Sequence, residues 1–205
     1  MASSKLDICN RALSLIGAAN IATLTEGTRE AKQCVIFYDA CREDVLREHN
    51  WNFAQKRVVL GLLSETYTGW TYAYQYPSDC LKVIRLYDEG GSISAASIDG
   101  LIEEIKFEVS ASSDLNRRVI LTDLENAELV YTANVRNESV FDPSFVSALV
   151  YKLASELVIP MKGKLNLRQA MIATYQQMLP HSQAINANEG NRKQEEYNDF
   201  VNARN

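Results

Sequence analysis

FDPSFVSALVYKLASELVIP, residues 141–160, decides how this chain is read. Asp142 followed by Pro143 signals a helix start. The carboxylate can accept from the unpaired N–H groups of the first turn, and proline's locked φ suits the first helical position. Between Phe145 and Ile159 only Ser147, Lys152, Ser155 and Glu156 are polar. The pattern predicts a helix apolar on almost every side, buried all round and stopped by Pro160.

Downstream, Asn166 with Gln169 three residues later predicts the opening of a last helix. Its apolar face is Ala170, Met171, Thr174, Tyr175 and Met178, with Pro180 kinking or ending it. From Asn186 the chain is nearly all Asn, Glu, Lys, Arg and Gln until Tyr197, Phe200 and Val201, which predicts a flexible arm with an apolar end over 189–205.

Two helices are expected upstream. Ser4 with Asp7 caps a short one carrying Leu6, Cys9, Leu13 and Ile16 on one face, with Gly17 as its stop. A longer one spans about Thr28 to His49. Ala31, Cys34, Val35, Tyr38, Cys41 and Val45 keep the 3.6-residue period there, while Ile36, Phe37 and Ala40 widen the apolar band.

From about Gln55 to Ala133 the period becomes two. Trp70, Tyr72, Tyr74 and Tyr76 alternate with smaller residues and so project from one face of a strand before Pro77-Ser78-Asp79 turns the chain. Further strands are expected over Arg57 to Leu62, Leu81 to Leu86, Glu104 to Val109, Arg117 to Leu121 and Glu128 to Ala133. No strand alternates with a helix in this stretch, so the nucleotide crevice of a doubly wound parallel sheet is excluded.

The expected fold is α+β. A four-helix domain of residues 1–54 and 140–188 is interrupted by an antiparallel β-rich insertion of 55–139, and an extended C-terminal arm follows. Four helices of this size offer too little surface to enclose both the apolar 145–159 stretch and the widened band near Phe37. The excess predicts contact between copies, through Ile36, Phe37, Val150 and Tyr151.

Composition narrows the function. The 205 residues carry 21 Lys and Arg against 26 Asp and Glu, a net charge of -5, whereas a broad grip on nucleic acid phosphates needs a basic surface. Arg117-Arg118 and Lys162-Gly163-Lys164 are the compact basic spots, each too small for a DNA footprint. The start lacks a signal peptide's basic and apolar runs, and no stretch has about 18 uninterrupted apolar residues, so synthesis in the cytoplasm and no membrane are expected. Cys9, Cys34, Cys41 and Cys80 have no CxxC spacing and read as buried reduced thiols.

Nothing points to catalysis. The two histidines, His49 and His181, lie in no nucleophile or metal motif, and His49 closes a helix where its cation would favour the dipole. The acidic pairs Glu43-Asp44, Asp88-Glu89, Glu103-Glu104 and Glu195-Glu196 point in divergent directions. Gly90-Gly91-Ser92 lacks the lysine of a phosphate loop and reads as a turn. The tyrosine ladder lacks the interleaved cations of a base-stacking platform. No catalytic residue, cofactor or metal is expected.

Several stretches together resemble the tail tubular protein A family of podophages, the head-to-tail adaptors. Asn10-Arg11-Ala12-Leu13 with Ile16-Gly17 is similar to that family's opening helix. Tyr38-Asp39 through Arg42, Leu46 and His49-Asn50-Trp51-Asn52-Phe53-Ala54 is similar to its long second helix and the tryptophan beyond. Tyr76-Pro77-Ser78-Asp79-Cys80-Leu81, Phe141-Asp142-Pro143-Ser144-Phe145 and the ending Tyr197 to Arg204 complete the resemblance. It implies a ring of twelve copies between portal and tail nozzle, in contact with tail fibres as well, with double-stranded DNA passing through without specific binding. It places the protein in the virion, where Tyr197, Phe200, Val201 and Arg204 would bind the portal. Two rival classes remain: a tail-associated glycan hydrolase, which needs two carboxylates facing a cleft, and a nucleic-acid-binding regulator, which needs salt-dependent DNA affinity.

Overall fold

The computed structural model describes residues 4–88 and 105–189, without the side chains of 181–189. The fold is α+β, with four helices and two small antiparallel sheets. The helices are α1 (Lys5–Leu15), α2 (Arg29–Glu48), α3 (Pro143–Lys162) and α4 (Leu165–Glu189).

Their starts obey local chemistry. The Ser4 hydroxyl accepts from the Asp7 N–H at 3.1 Å and the Asp7 carboxylate accepts from the Ser4 N–H at 3.0 Å, so two orphan donors are satisfied reciprocally. Thr28 accepts from Ala31 N–H at the head of α2, and Asp142 from Ser144 N–H at the head of α3. Gly17, at φ 65°, takes the left-handed turn beyond α1.

The ends depart from expectation. Pro160 lies inside α3, which runs on to Lys162 and stops at Gly163 with φ 63°. A proline this close to a helix end removes a single ladder bond, and the Arg29 guanidinium of α2 holds the Pro160 carbonyl. Pro180 likewise lies inside α4, which continues to Glu189. Asn166 does not cap α4: the ladder already begins with Arg168 N–H donating to Lys164 at 3.2 Å, and Asn166 falls in the first turn.

Between α2 and α3 the chain forms β1 (Gln55–Val59), β2 (Tyr72–Gln75), β3 (Cys80–Asp88), β4 (Phe107–Ala111), β5 (Arg118–Thr122) and β6 (Ala127–Ala133). They pair antiparallel in the orders β1-β6-β3 and β2-β5-β4. Tyr72, Tyr74 and Tyr76 share a cluster with Leu86, Ile120, Leu129 and Tyr131. Trp70 does not join them; it packs beside Ala73, Val119 and Leu121. Gly69, at φ 88°, turns the chain just before it, so the two-residue period starts only after Trp70.

The largest core fills the bundle. α3 runs through it against α1, α2 and α4, burying Phe145, Leu149, Leu153 and Leu157 completely. Phe145 is met edge-on by Trp51 at 5.1 Å and by Phe141 at 4.8 Å. This corrects the expected apolar excess on α3. One subunit encloses that helix by itself, because three helices surround it and Ser147, Lys152 and Glu156 occupy positions of partial exposure. α3 does have the length and mean hydropathy, 1.3, of a membrane span, but Lys152 pairs with Asp44 at 3.4 Å and Glu156 with Arg168 at 3.3 Å.

Candidate functional site

The four residues expected at a contact between copies divide into two patches. On α2, Cys34, Tyr38, Cys41 and Val45 are buried, and their phase fixes the opposite face outward. Ile36 is 62 % exposed on that face and Val35 48 % exposed at its edge, so Val35, expected to face the core, does not. Ala40 is also exposed, whereas Phe37 is half-buried against the bundle core. Lys32 and Asp39 flank Ile36.

The second patch is a groove of about 530 Å³ between α1 and α3. Asp7, Asn10, Arg11, Ser14 and Leu15 follow one another along a single stripe of α1, Asn20 closes one end, and Val150 and Tyr151 come from α3. Val150, expected at a contact between copies, is only 3 % exposed: it lines the groove as its floor, with its side chain largely enclosed by its own subunit. Tyr151 is half-buried beside it.

The groove is held in shape by short-range hydrogen bonds. The Asn10 amide donates to the Ile21 carbonyl at 2.9 Å and accepts from the Ile21 N–H at 2.8 Å, clamping the segment after α1 onto the helix. The Ser14 hydroxyl donates to Asn20 Oδ1 at 3.0 Å. The Ser4 hydroxyl, then the Ser4 N–H, hold the Asp7 carboxyl below its ordinary pKa, so it is an anion at neutral pH. Arg11 makes no hydrogen bond or ion pair among the described residues.

A third feature, invisible to periodicity arguments that count only apolar residues, joins bundle to sheet. Arg42 is 1 % exposed, on the core phase of α2. Its guanidinium reaches Asp39 at 3.2 Å, Glu43 at 3.2 Å and the Asn134 side-chain Oδ1 at 2.8 Å, and the Asn134 Nδ2 donates back to Glu43 at 2.9 Å. The Tyr38 hydroxyl donates to Glu138 at 3.1 Å just beyond β6, and Lys82 of β3 to Asn50 at 3.1 Å. The one available signal was a charged residue at a position the helical phase buries.

The residues weighed for chemistry have structural partners. His49 ends α2 with its ring edge-on to Trp51 at 4.9 Å. Burial and then the nearby Lys82 charge lower its pKa, so it is neutral at pH 7, and the cation expected at the end of the helix dipole is not there. Arg117 pairs with Glu65, and the Arg118 guanidinium stacks 3.9 Å from the Tyr76 ring. Lys162 donates to the Gly17 carbonyl at 2.7 Å. The four cysteines are buried and free. Among the described residues no group of three or more His, Cys, Asp or Glu is placed to hold a metal.

Tyr197, Phe200, Val201 and Arg204, together with Gly90-Gly91-Ser92, Glu103-Glu104 and Glu195-Glu196, lie outside the described residues, as do the Glu89 of the Asp88 pair and the His181 side chain. No family model matches the chain, and no curated protein matches it significantly.

Proposed function

We propose that this chain is a structural adaptor of a phage head-to-tail connector, twelve copies of which form a ring between portal and tail nozzle. The observation that carries the reading is the outward apolar patch of α2. Val35, Ile36 and Ala40 lie together on a helix whose opposite face already fills the core, and none of the described residues covers them. The groove on α1 and α3 supplies a second surface, floored by Val150 and walled by Tyr151. A ring needs two different flanks on each copy, and this bundle has two.

The rest of the assignment follows from the resemblance. Tyr197, Phe200, Val201 and Arg204 bind the portal, the β strands face the nozzle and tail fibres, and DNA passes through the centre. A net charge of -5 suits a channel in which the duplex slides, because repelled phosphates are not held. The protein works in the virion after synthesis in the host cytoplasm. Within the two compact basic spots Arg117, Arg118 and Lys162 are engaged inside the subunit, which counts against a nucleic-acid footprint built on them.

Purified full-length chain mixed with its portal tests the reading. Mass measurement and negative-stain imaging should show a ring seated on the portal; a chain that never joins the portal sinks it. Deleting residues 191–205 should abolish portal binding, and unchanged binding would reject the arm's assignment.

A further inference from the structure

We infer that the α2 patch and the α1–α3 groove are the two halves of one contact, with Ile36 of each copy docking into the groove of the next. Ile36 is two residues from both Cys34 and Tyr38, roughly 200° around the helix from either, so it points away from its own bundle core. The groove opens along α1, on the stripe Asp7, Arg11 and Leu15. The two surfaces belong to different flanks and cannot meet inside one subunit. An apolar projection and an apolar-floored groove on the same molecule make a head-to-tail contact, which closes into a ring when the rotation between copies closes.

Charge fixes the register. Inside one subunit α1 and α2 run antiparallel: Lys5 pairs with Asp39 at 3.2 Å, while Cys9, one turn on, lies beside Cys34. Neighbours in a twelve-membered ring differ by a rotation of only about 30°, so a neighbour's α2 is also nearly antiparallel to α1. Placing its Ile36 against Leu15 then brings its Asp39 to Arg11. Three residues of one helix, about 4.5 Å of rise, match four of the other, about 6 Å.

Arg11 is the groove's uncommitted cation, and Asp39 has a side chain 58 % exposed. Asp39 already binds Lys5 and Arg42, yet a carboxylate has about four acceptor sites and keeps room for a third donor. Leu15, itself 38 % exposed at the groove's lip, completes the apolar seat.

This inference rests on the ring reading, and a cysteine trap separates the two. Full-length Ile36→Cys, Leu15→Cys and the double variant are oxidised, with and without the portal; wild type is the control, since its own cysteines are buried. The expected result is a ladder of dimers, trimers and higher species from the double variant, dimers only from the mixed single variants, and none above wild type from either alone. Ile36→Asp should weaken association at least tenfold without moving the monomer's melting temperature. Arg11→Glu should weaken it as well, whereas Arg11→Lys, which keeps the charge, should leave it within about threefold of wild type.

Strong cross-linking of Ile36→Cys alone would mean a two-fold contact and overturn the proposal. No ladder from a sample that light scattering shows to be oligomeric would also overturn it, while leaving the ring reading intact. No ladder and no assembly, even with the portal, would overturn both.

Discussion

α2 and α3 are both twenty residues long and pack against each other, yet they treat apolar side chains in opposite ways. α3 is the more hydrophobic and hides nearly all of its apolar surface, with only Ile159 among its large hydrophobic side chains substantially exposed. α2 is charged and amphipathic, yet it leaves Val35 and Ile36 in solvent. Total hydrophobicity therefore does not locate a contact surface. Phase does: a residue matters to a partner when it points away from a core its own helix has already filled.

The largest effect that could break this contrast is at the centre of α3. Phe145→Ala should remove about 3–5 kcal/mol of stability, because the ring is enclosed by Trp51, Phe53 and Phe141 and the site cannot easily collapse. A denaturant midpoint that barely moves would mean α3 is not the enclosed helix described above.

Next comes the core-phase cation of α2. Arg42→Leu should cost about 1–3 kcal/mol, since Asn134 loses its donor while Asp39 and Glu43 recover water. Amide exchange should quicken most near Asn134, where bundle and sheet meet; uniform protection would deny the junction its role.

The direct comparison is smaller and sharper. Val150→Ala should destabilise the subunit by about 1–2 kcal/mol through lost burial, whereas Ile36→Ser should stay within about 0.5 kcal/mol. Equal losses in urea titrations of the monomeric chain would erase the distinction between floor and projection.

The smallest effect is a pH dependence at the end of α2. The folded chain holds the His49 pKa below its ordinary 6.5, so it binds fewer protons than the unfolded chain. Stability from this group is present above about pH 6.5 and falls as pH drops below it toward the folded pKa. Urea midpoints between pH 7 and 5 should decline more in wild type than in His49→Gln, and parallel curves would reject the assignment.

Much of the fold was legible because its punctuation is local. Ser4 with Asp7, Thr28, and Asp142 with Pro143 each satisfy N–H groups within three residues, so the helix starts needed no tertiary knowledge. The period of two from Tyr72 to Tyr76 marked a strand for the same reason. Less was legible where a distant residue intervenes. Arg29 holds the carbonyl of Pro160, 131 positions away, and α3 passes its expected stop. Arg42 finds Asn134 across 92 positions, and burial beside Lys82 keeps His49 neutral.

The candidate surfaces divide along the same line. Ile36 and Tyr151 stood out as apolar residues in surplus, but nothing in the chain's order told a projection from a wall. Asp7, Arg11 and Leu15 read as an ordinary solvent stripe until α3 is set beside them.

Caps, periods and the α+β class belong to the linear chain, since neighbours within four residues carry the interactions that define them. The helix that is enclosed, the helix left with an uncovered patch and the residues that line a groove emerge only on assembly. Those properties depend on which faces of whole elements meet, α1 and α2 against α3 from far back in the chain and α4 folding back onto it, and short-range periodicity holds no record of that meeting.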